Sequence, residues 1–193
     1  LALDANTTAS CNTAVGYNAL HNNTDAGDNT AVGYYALHEN TTATDCTAVG
    51  FKALEKSNAN HCTAVGENCL SANTTGDVNT AIGQRALLSC TTGRINTAVG
   101  GNTMDGVTTG ENNTAIGYQS LAANTTGASN VAIGYVALDA NTTGNYNVAV
   151  GNESFTSATN SDNSVAVGFQ ALRLTNNADN NTAIGFYALT ANT

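Results

Sequence analysis

Apolar, small and polar positions recur with a fixed period along the whole chain. The triplet Ala-(Val/Ile)-Gly occurs eleven times, ending at Gly16, Gly33, Gly50, Gly66, Gly83, Gly100, Gly117, Gly134, Gly151, Gly168 and Gly185. Successive glycines are 17 residues apart, except for one step of 16 between Gly50 and Gly66. With this glycine as phase 0, phase −2 is always Ala and phase −1 is always Val or Ile. Phase −3 is Thr in eight repeats and Val in three (Val131, Val148, Val165). Phase +4 is Leu in nine, with Met104 and Phe155 as substitutes. Phase −4 is mostly Asn, interrupted by Cys46, Cys62 and Ser164, and phases +7 to +10 commonly read Asn-Thr-Thr-Gly, as at 73–76, 124–127 and 141–144.

Seventeen residues are too few for a helix pair, and the pattern is not that of a leucine-rich repeat. The period suits one coil of short strands and turns. The run Asn-Thr-Ala-Val-Gly-Tyr predicts a strand, because it is rich in β-branched residues. Phases +2 to +5 predict a second strand or an extended bend. The Asn-Thr-Thr-Gly segment predicts the return turn, with positive φ at its glycine and local side-chain bonds from Asn and Thr. The fold class is therefore all-β: a parallel β-solenoid (β-roll) of eleven 17-residue coils, forming one continuous array over 1–193. Coils stacked at about 4.8 Å make a rod on the order of 50 Å long, in which each coil touches only its neighbours. Identical residues then form columns, so Val15, Val32 and Val49 are expected as next-coil neighbours. An Asn column at phase −4 predicts a ladder of side-chain amides along the stack.

Strand side chains alternate between faces. Ala at phase −2 and Gly at phase 0 share one face, and phases −3, −1 and +1 share the other. The Ala/Gly face leaves no room for bulk, which points to a close approach of another backbone. A solenoid has one interior, so the Val/Ile face needs a second cover. Lateral association of chains around a three-fold axis supplies it most simply. The chain begins and stops at nearly the same phase (Leu3-Asp4-Ala5-Asn6-Thr7 and Leu189-Thr190-Ala191-Asn192-Thr193), which reads as a segment of a longer fibre.

Composition supports this class. The chain holds 29 Asn, 30 Thr and 19 Gly with no Pro or Trp, and Asn, Thr and Gly are poor helix formers. Hydrophobic residues at 41% against charged residues at 10% are the reverse of a disordered composition. With a net charge of −9 and five basic residues, the chain lacks the cations needed to bind nucleic acid or dock on anionic lipid. No apolar stretch approaches the roughly 20 residues that span a bilayer.

The run Asn163-Ser164-Val165-Ala166-Val167-Gly168 resembles the head repeat of trimeric autotransporter adhesins. The longer unit Asn113-Thr114-Ala115-Ile116-Gly117-Tyr118-Gln119-Ser120-Leu121, then Asn124-Thr125-Thr126-Gly127, is similar to repeats in long tail-fibre-like surface proteins. The resemblance covers the whole chain, although the adhesin head repeat is shorter than 17 residues, so this chain enlarges a turn or the coil section. It implies parallel β-rolls packed three around an axis, and attachment or appendage building on an extracellular, cell or virion surface.

Candidate chemistry is sparse. Cys46 and Cys62 share phase −4 on successive coils, within disulfide reach at the stacking distance; the alternative is two small thiols standing in for Asn. With five cysteines, at least one stays unpaired within the chain. His21 and His38 share phase +5 and are expected to meet on one surface. Asn-x-Ser/Thr sequons begin at Asn6, Asn22, Asn40, Asn73, Asn112, Asn124, Asn141, Asn152 and Asn180. Of these, Asn6, Asn40, Asn73, Asn124 and Asn141 fall at phase +7, in the predicted turn, where a glycan would point into solvent. The Thr pairs at phases +8 and +9 are candidates for O-linked sugars. Aromatic residues at phase +1 (Tyr17, Tyr34, Phe51, Tyr118, Tyr135, Phe169, Phe186) form a broken stripe suited to an inter-chain seam or to a glycan. No nucleophile, base and orienter suggest a catalytic site, and no cofactor or metal site is expected. The expected function is a structural, self-assembling and adhesive fibre segment. The alternative is a ligand-binding solenoid, ice-binding through the Thr column or glycan-binding through the aromatics.

Overall fold

A computed structural model describes residues 1–175 and 179–191. Each coil contributes one three-residue strand: β1 (Thr13–Val15), β2 (Thr30–Val32), β3 (Thr47–Val49), β4 (Thr63–Val65), β5 (Thr80–Ile82), β6 (Thr97–Val99), β7 (Thr114–Ile116), β8 (Val131–Ile133), β9 (Val148–Val150), β10 (Val165–Val167) and β11 (Thr182–Ile184). They form one 11-stranded parallel sheet in sequence order. Register is unbroken, so Val15 pairs with Val32 and Val32 with Val49, as the period requires. The chain is a β-solenoid.

The rest of each coil is turn rather than a second strand. Phases +2 and +4 are left-handed, as at Tyr35 (φ 58) and Leu37 (φ 48), and phase −5 is left-handed at Asp28 (φ 61). Left-handed backbone disfavours residues with a Cβ. At phase +4 it carries Leu around a corner, and every side chain there from Leu20 to Leu172 is fully buried. Hydrogen bonds between coils continue through these corners. Tyr35 N donates to Tyr17 O at 3.0 Å, Leu37 N to Ala53 O at 3.0 Å and Thr74 N to Thr91 O at 2.9 Å. The stack is therefore stitched around its whole cross-section, which holds the strained corners in place.

The glycines at phases 0 and +10 have different jobs. At phase 0, φ lies between 129 and 141°, and a Cβ on Gly33 would press on the carbonyl of Gly50. This is the close backbone approach expected of the Ala/Gly positions. The phase +10 glycines, expected to be left-handed, are not. A Cβ on Gly127 would crowd the Gly144 carbonyl and the Asn124 side chain, while Ala43 and Ser161 show that the phase admits a small side chain.

The interior is thin and partly polar. Ala at phase −2 and Leu at phase +4 fill it from opposite sides, and both columns are fully buried through coils 2 to 10, with Met104 and Phe155 replacing Leu. Beside them run two asparagine ladders. At phase −4, Asn113 Oδ1 accepts from Asn130 N at 3.0 Å, and Asn113 Nδ2 donates to Gly127 O at 2.9 Å and to Asn96 Oδ1 at 3.2 Å. This is the predicted amide ladder, and it also ties the strand to the return turn. The second ladder is at phase +7, where Ser57, Cys90, Val107, Ala158 and Thr175 interrupt it. Asn141 Nδ2 donates to Asn124 Oδ1 at 3.1 Å and to Gly144 O at 3.1 Å, while its Oδ1 accepts from Gly144 N at 3.1 Å. A buried amide without partners is costly; here each finds them one coil away.

The second ladder corrects the reading of the sequons. Asn40, Asn73, Asn124 and Asn141 are fully buried, because they turn inward to cap their own return turn. They do not point into solvent. Asn6, on the first coil, is exposed, as are Asn112, Asn152 and Asn180.

The 16-residue coil keeps register by side-chain substitution. In a regular coil, Thr74 N, Thr75 N and Thr74 Oγ1 all donate to Thr91 O, at 2.9, 3.2 and 2.9 Å. In the short coil Asn58 lies at the equivalent of Thr91, and its side-chain oxygen replaces that carbonyl. Thr41 N, Thr42 N and Thr41 Oγ1 donate to Asn58 Oδ1 at 2.8, 3.2 and 2.9 Å. Ser57 replaces the ladder Asn: its Oγ accepts from Ala59 N at 3.1 Å and from Asn73 Nδ2 at 3.3 Å.

Candidate functional site

Because Ala points inward, phases −3 and −1 point outward, and phase +1 continues the same side. The result is a flat face of three columns, running the length of the sheet. The Val/Ile column is the most exposed large apolar feature along the strands, with Ile82 and Ile116 each at 41%. Thr at phase −3 stands beside it, half-buried by its neighbours above and below. Glu67 is the only charged side chain at these three phases in all eleven repeats, although the chain carries 14 acidic and five basic residues.

The aromatic column is a set of stacks. Tyr17–Tyr34 and Tyr34–Phe51 have centroids 5.3 Å apart, Tyr118–Tyr135 5.8 Å and Phe169–Phe186 5.3 Å, with ring planes within 18° of parallel. Glu67, Gln84, Gly101 and Asn152 interrupt it, and Gln84 Nε2 bonds Glu67 Oε2 at 3.0 Å across the first gap. Inside a stack each ring face is covered by the next ring, so edges are what it offers outward. A sugar that stacks on an open ring face finds little purchase there.

The columns extend around one corner in the first coils. Tyr35 packs on Tyr34 and His38 at centroid distances of 4.5 and 4.3 Å, and Lys52 Nζ lies 5.9 Å from the Tyr35 ring. His21 and His38 do meet, stacked at 5.5 Å and 2°. Burial and the neighbouring His21 hold His38 below the usual imidazole range. Among the described residues no three His, Cys, Asp or Glu side chains converge as a metal site, and no cavity opens in the surface.

Cys46 and Cys62 are next-coil neighbours, as their shared phase predicts, and both are free and buried. Cys46 Sγ donates to Ala59 O at 3.1 Å and Cys62 Sγ to Gly76 O at 3.3 Å. In regular coils the amide of Asn29 or Asn79 makes that bond to the return turn. The thiols thus stand in for the ladder Asn. Cys69 and Cys90 are buried elsewhere in the interior, and burial pushes them up to about 12 and about 11. Cys11 is exposed.

The arginines act between coils: Arg94 pairs with Glu111 and Arg173 with Glu153, each at 3.1 Å, and Arg85 with Asp105 at 3.6 Å. These pairs are solvent-exposed and contribute at most about 1 kcal/mol each. Sequence reasoning missed the inward ladder at phase +7 and the separation of charge from the sheet face. The second was visible in the residue types at phases −3, −1 and +1. No family model, curated protein or solved structure matches this chain.

Proposed function

We propose that this chain is a structural rod, a self-assembling fibre segment whose sheet face seats on copies of itself around a common axis. The observation that carries the reading is the outward column of Val and Ile, uncovered along eleven coils and nearly free of charge. A face about 13 Å wide and 50 Å long offers roughly 700 Å² per copy, close to the half-interface of a stable complex. Apolar patches of this extent on a lone chain mark interaction sites. Acidic residues placed on the other sides keep the rod soluble without opposing the contact. The resemblance to trimeric adhesin heads supports three copies and a place in an extracellular filament or cell- or virion-surface appendage.

Sedimentation equilibrium tests it. The wild-type chain is expected as an oligomer at micromolar concentration. Ile82→Lys combined with Ile116→Lys is expected as a folded monomer with an unchanged circular-dichroism spectrum. A wild-type chain that stays monomeric overturns the proposal. Ice binding is the second reading, favoured by the in-register Thr column at phase −3. It requires the face to be free in solution, so thermal hysteresis from a monomer would replace the first reading.

A further inference from the structure

We propose that Cys46 and Cys62 are a redox pair that hydrogen peroxide closes into a disulfide, stapling the short coil to the coil before it. Register brings the two together. The residues that follow them, Thr47 and Thr63, are strand partners, and Thr47 N donates to Cys62 O at 2.9 Å. Parallel neighbours lie about 4.8 Å apart, inside the Cα range that a disulfide spans. Both side chains turn to the same side of the stack, Cys46 Sγ to Ala59 O at 3.1 Å and Cys62 Sγ to Gly76 O at 3.3 Å, equivalent positions one coil apart.

The position is singular in the stack. The loop closed by the bond holds the whole 16-residue step. Elsewhere along the phase −4 column, amides such as Asn113, Asn130 and Asn147 bond one another directly between coils. Between Cys46 and Cys62 that rung is missing, and a disulfide would supply a covalent one. Its local cost is small. Oxidation removes the Cys62 donor from Gly76 O, which keeps Asn73 Nδ2 at 3.0 Å and Asn79 Nδ2 at 2.8 Å. Ala59 O loses the Cys46 thiol, while Thr44 O and Asn60 O, the other acceptors near the two sulphurs, keep the backbone donors His61 N and Val78 N.

The Cys62 thiol, with its backbone amide, favours the ionised form of Cys46 and pulls it below the usual thiol range. The Cys46 thiolate attacks peroxide: an S–O bond forms, the O–O bond breaks and hydroxide leaves. The Cys62 sulphur then attacks the sulfenic acid: the S–S bond forms, the S–O bond breaks, and hydroxide leaves with the thiol proton as water. Two thiols lose two electrons, and one peroxide becomes two waters. Peroxide is nearly as small as water, which suits two residues that are at most 1% exposed. Cys69 and Cys90 have no cysteine in the same column of the next coil and remain thiols.

The test is peptide mapping of the folded wild-type chain after hydrogen peroxide, quenching, and unfolding in an alkylating agent. The expected map joins the Cys46 and Cys62 peptides, two hydrogens lighter than the sum, with Cys69 and Cys90 alkylated. In Cys62→Ser, dimedone is expected to trap a sulfenic acid at Cys46. Alkylation of both cysteines at a dose that oxidises Cys11, or bridging of either to another cysteine, overturns the proposal. If Cys62→Ser fails to fold, the wild-type map decides alone.

Discussion

The 16-residue coil that ends at Gly66 and the 17-residue coils around it arrive at the same register by different routes. In regular coils such as that of Thr91 a Thr backbone carbonyl takes three hydrogen bonds from the coil before, and where phase +7 is Asn, as at Asn73, it caps the return turn. In the short coil the side chain of Asn58 takes the three bonds, and Ser57 does the capping. The chain lost a residue, yet β3 and β4 pair without a slip. Donors and acceptors at fixed heights along the stack are therefore what the solenoid conserves, while the residue count between them is adjustable. A buried or edge-facing N–H left without an acceptor costs more than the small change in path that supplies one.

This contrast can be broken from either side. The largest effect is expected in a regular coil. Asn113→Leu removes the acceptor for Asn130 N and the donor to Gly127 O in a fully buried setting, and should lower stability by about 3 kcal/mol or more in urea titration. Asn58→Ala comes next. It strips Thr41 and Thr42 of their acceptor where solvent partly reaches, so a loss of about 2 kcal/mol is expected by the same titration. Restoring the regular route by Asn58→Thr with one Thr inserted after it should keep stability within about 1 kcal/mol of wild type.

Smaller effects concern the corners. Val78 and Ile95 are β-branched residues at left-handed φ (60 and 58), where Asn112 and Asn163 serve other coils. Val78→Asn should therefore stabilise by about 1 kcal/mol, read as a raised Tm. The smallest effect is on pH. The folded-state pKa of His38 is lowered, so the unfolded chain binds the proton more readily and stability falls as pH drops below the ordinary imidazole range. Tm should be lower at pH 5 than at pH 8, and His38→Gln should reduce that difference (set against the carboxylates common to both proteins).

Much of this was legible in the sequence, for a physical reason. Stacking places each residue under the same residue of the next coil, so the demands of a column repeat as letters. Ala at phase −2, the Val/Ile column, the amide ladder at phase −4 and the Cys46–Cys62 neighbourhood all followed from period alone. What the period could not show was direction. Asn73 in an Asn-Thr-Thr-Gly turn looks alike whether its amide faces water or caps the turn from inside, and it does the latter. Leu37 reads locally as a strand residue, since left-handed backbone is costly for it; inter-coil bonds on both sides impose that conformation. Gly127 reads as a turn glycine, yet its reason is the carbonyl pressing on it from the next coil. The outward sheet face was legible as a pattern but not as a side until Ala14 to Ala183 were placed inside.

The stack itself is tested most directly by distance between coils. Spin labels on Thr30→Cys and Thr114→Cys would sit five coils apart in the Thr column, in a chain whose own cysteines are replaced and which is diluted with unlabelled copies. Pulsed electron–electron resonance should give a separation of about 24 Å, rising by about 5 Å when the second label moves to Val131→Cys. A separation that does not grow by one coil height with that 17-residue move would contradict the account.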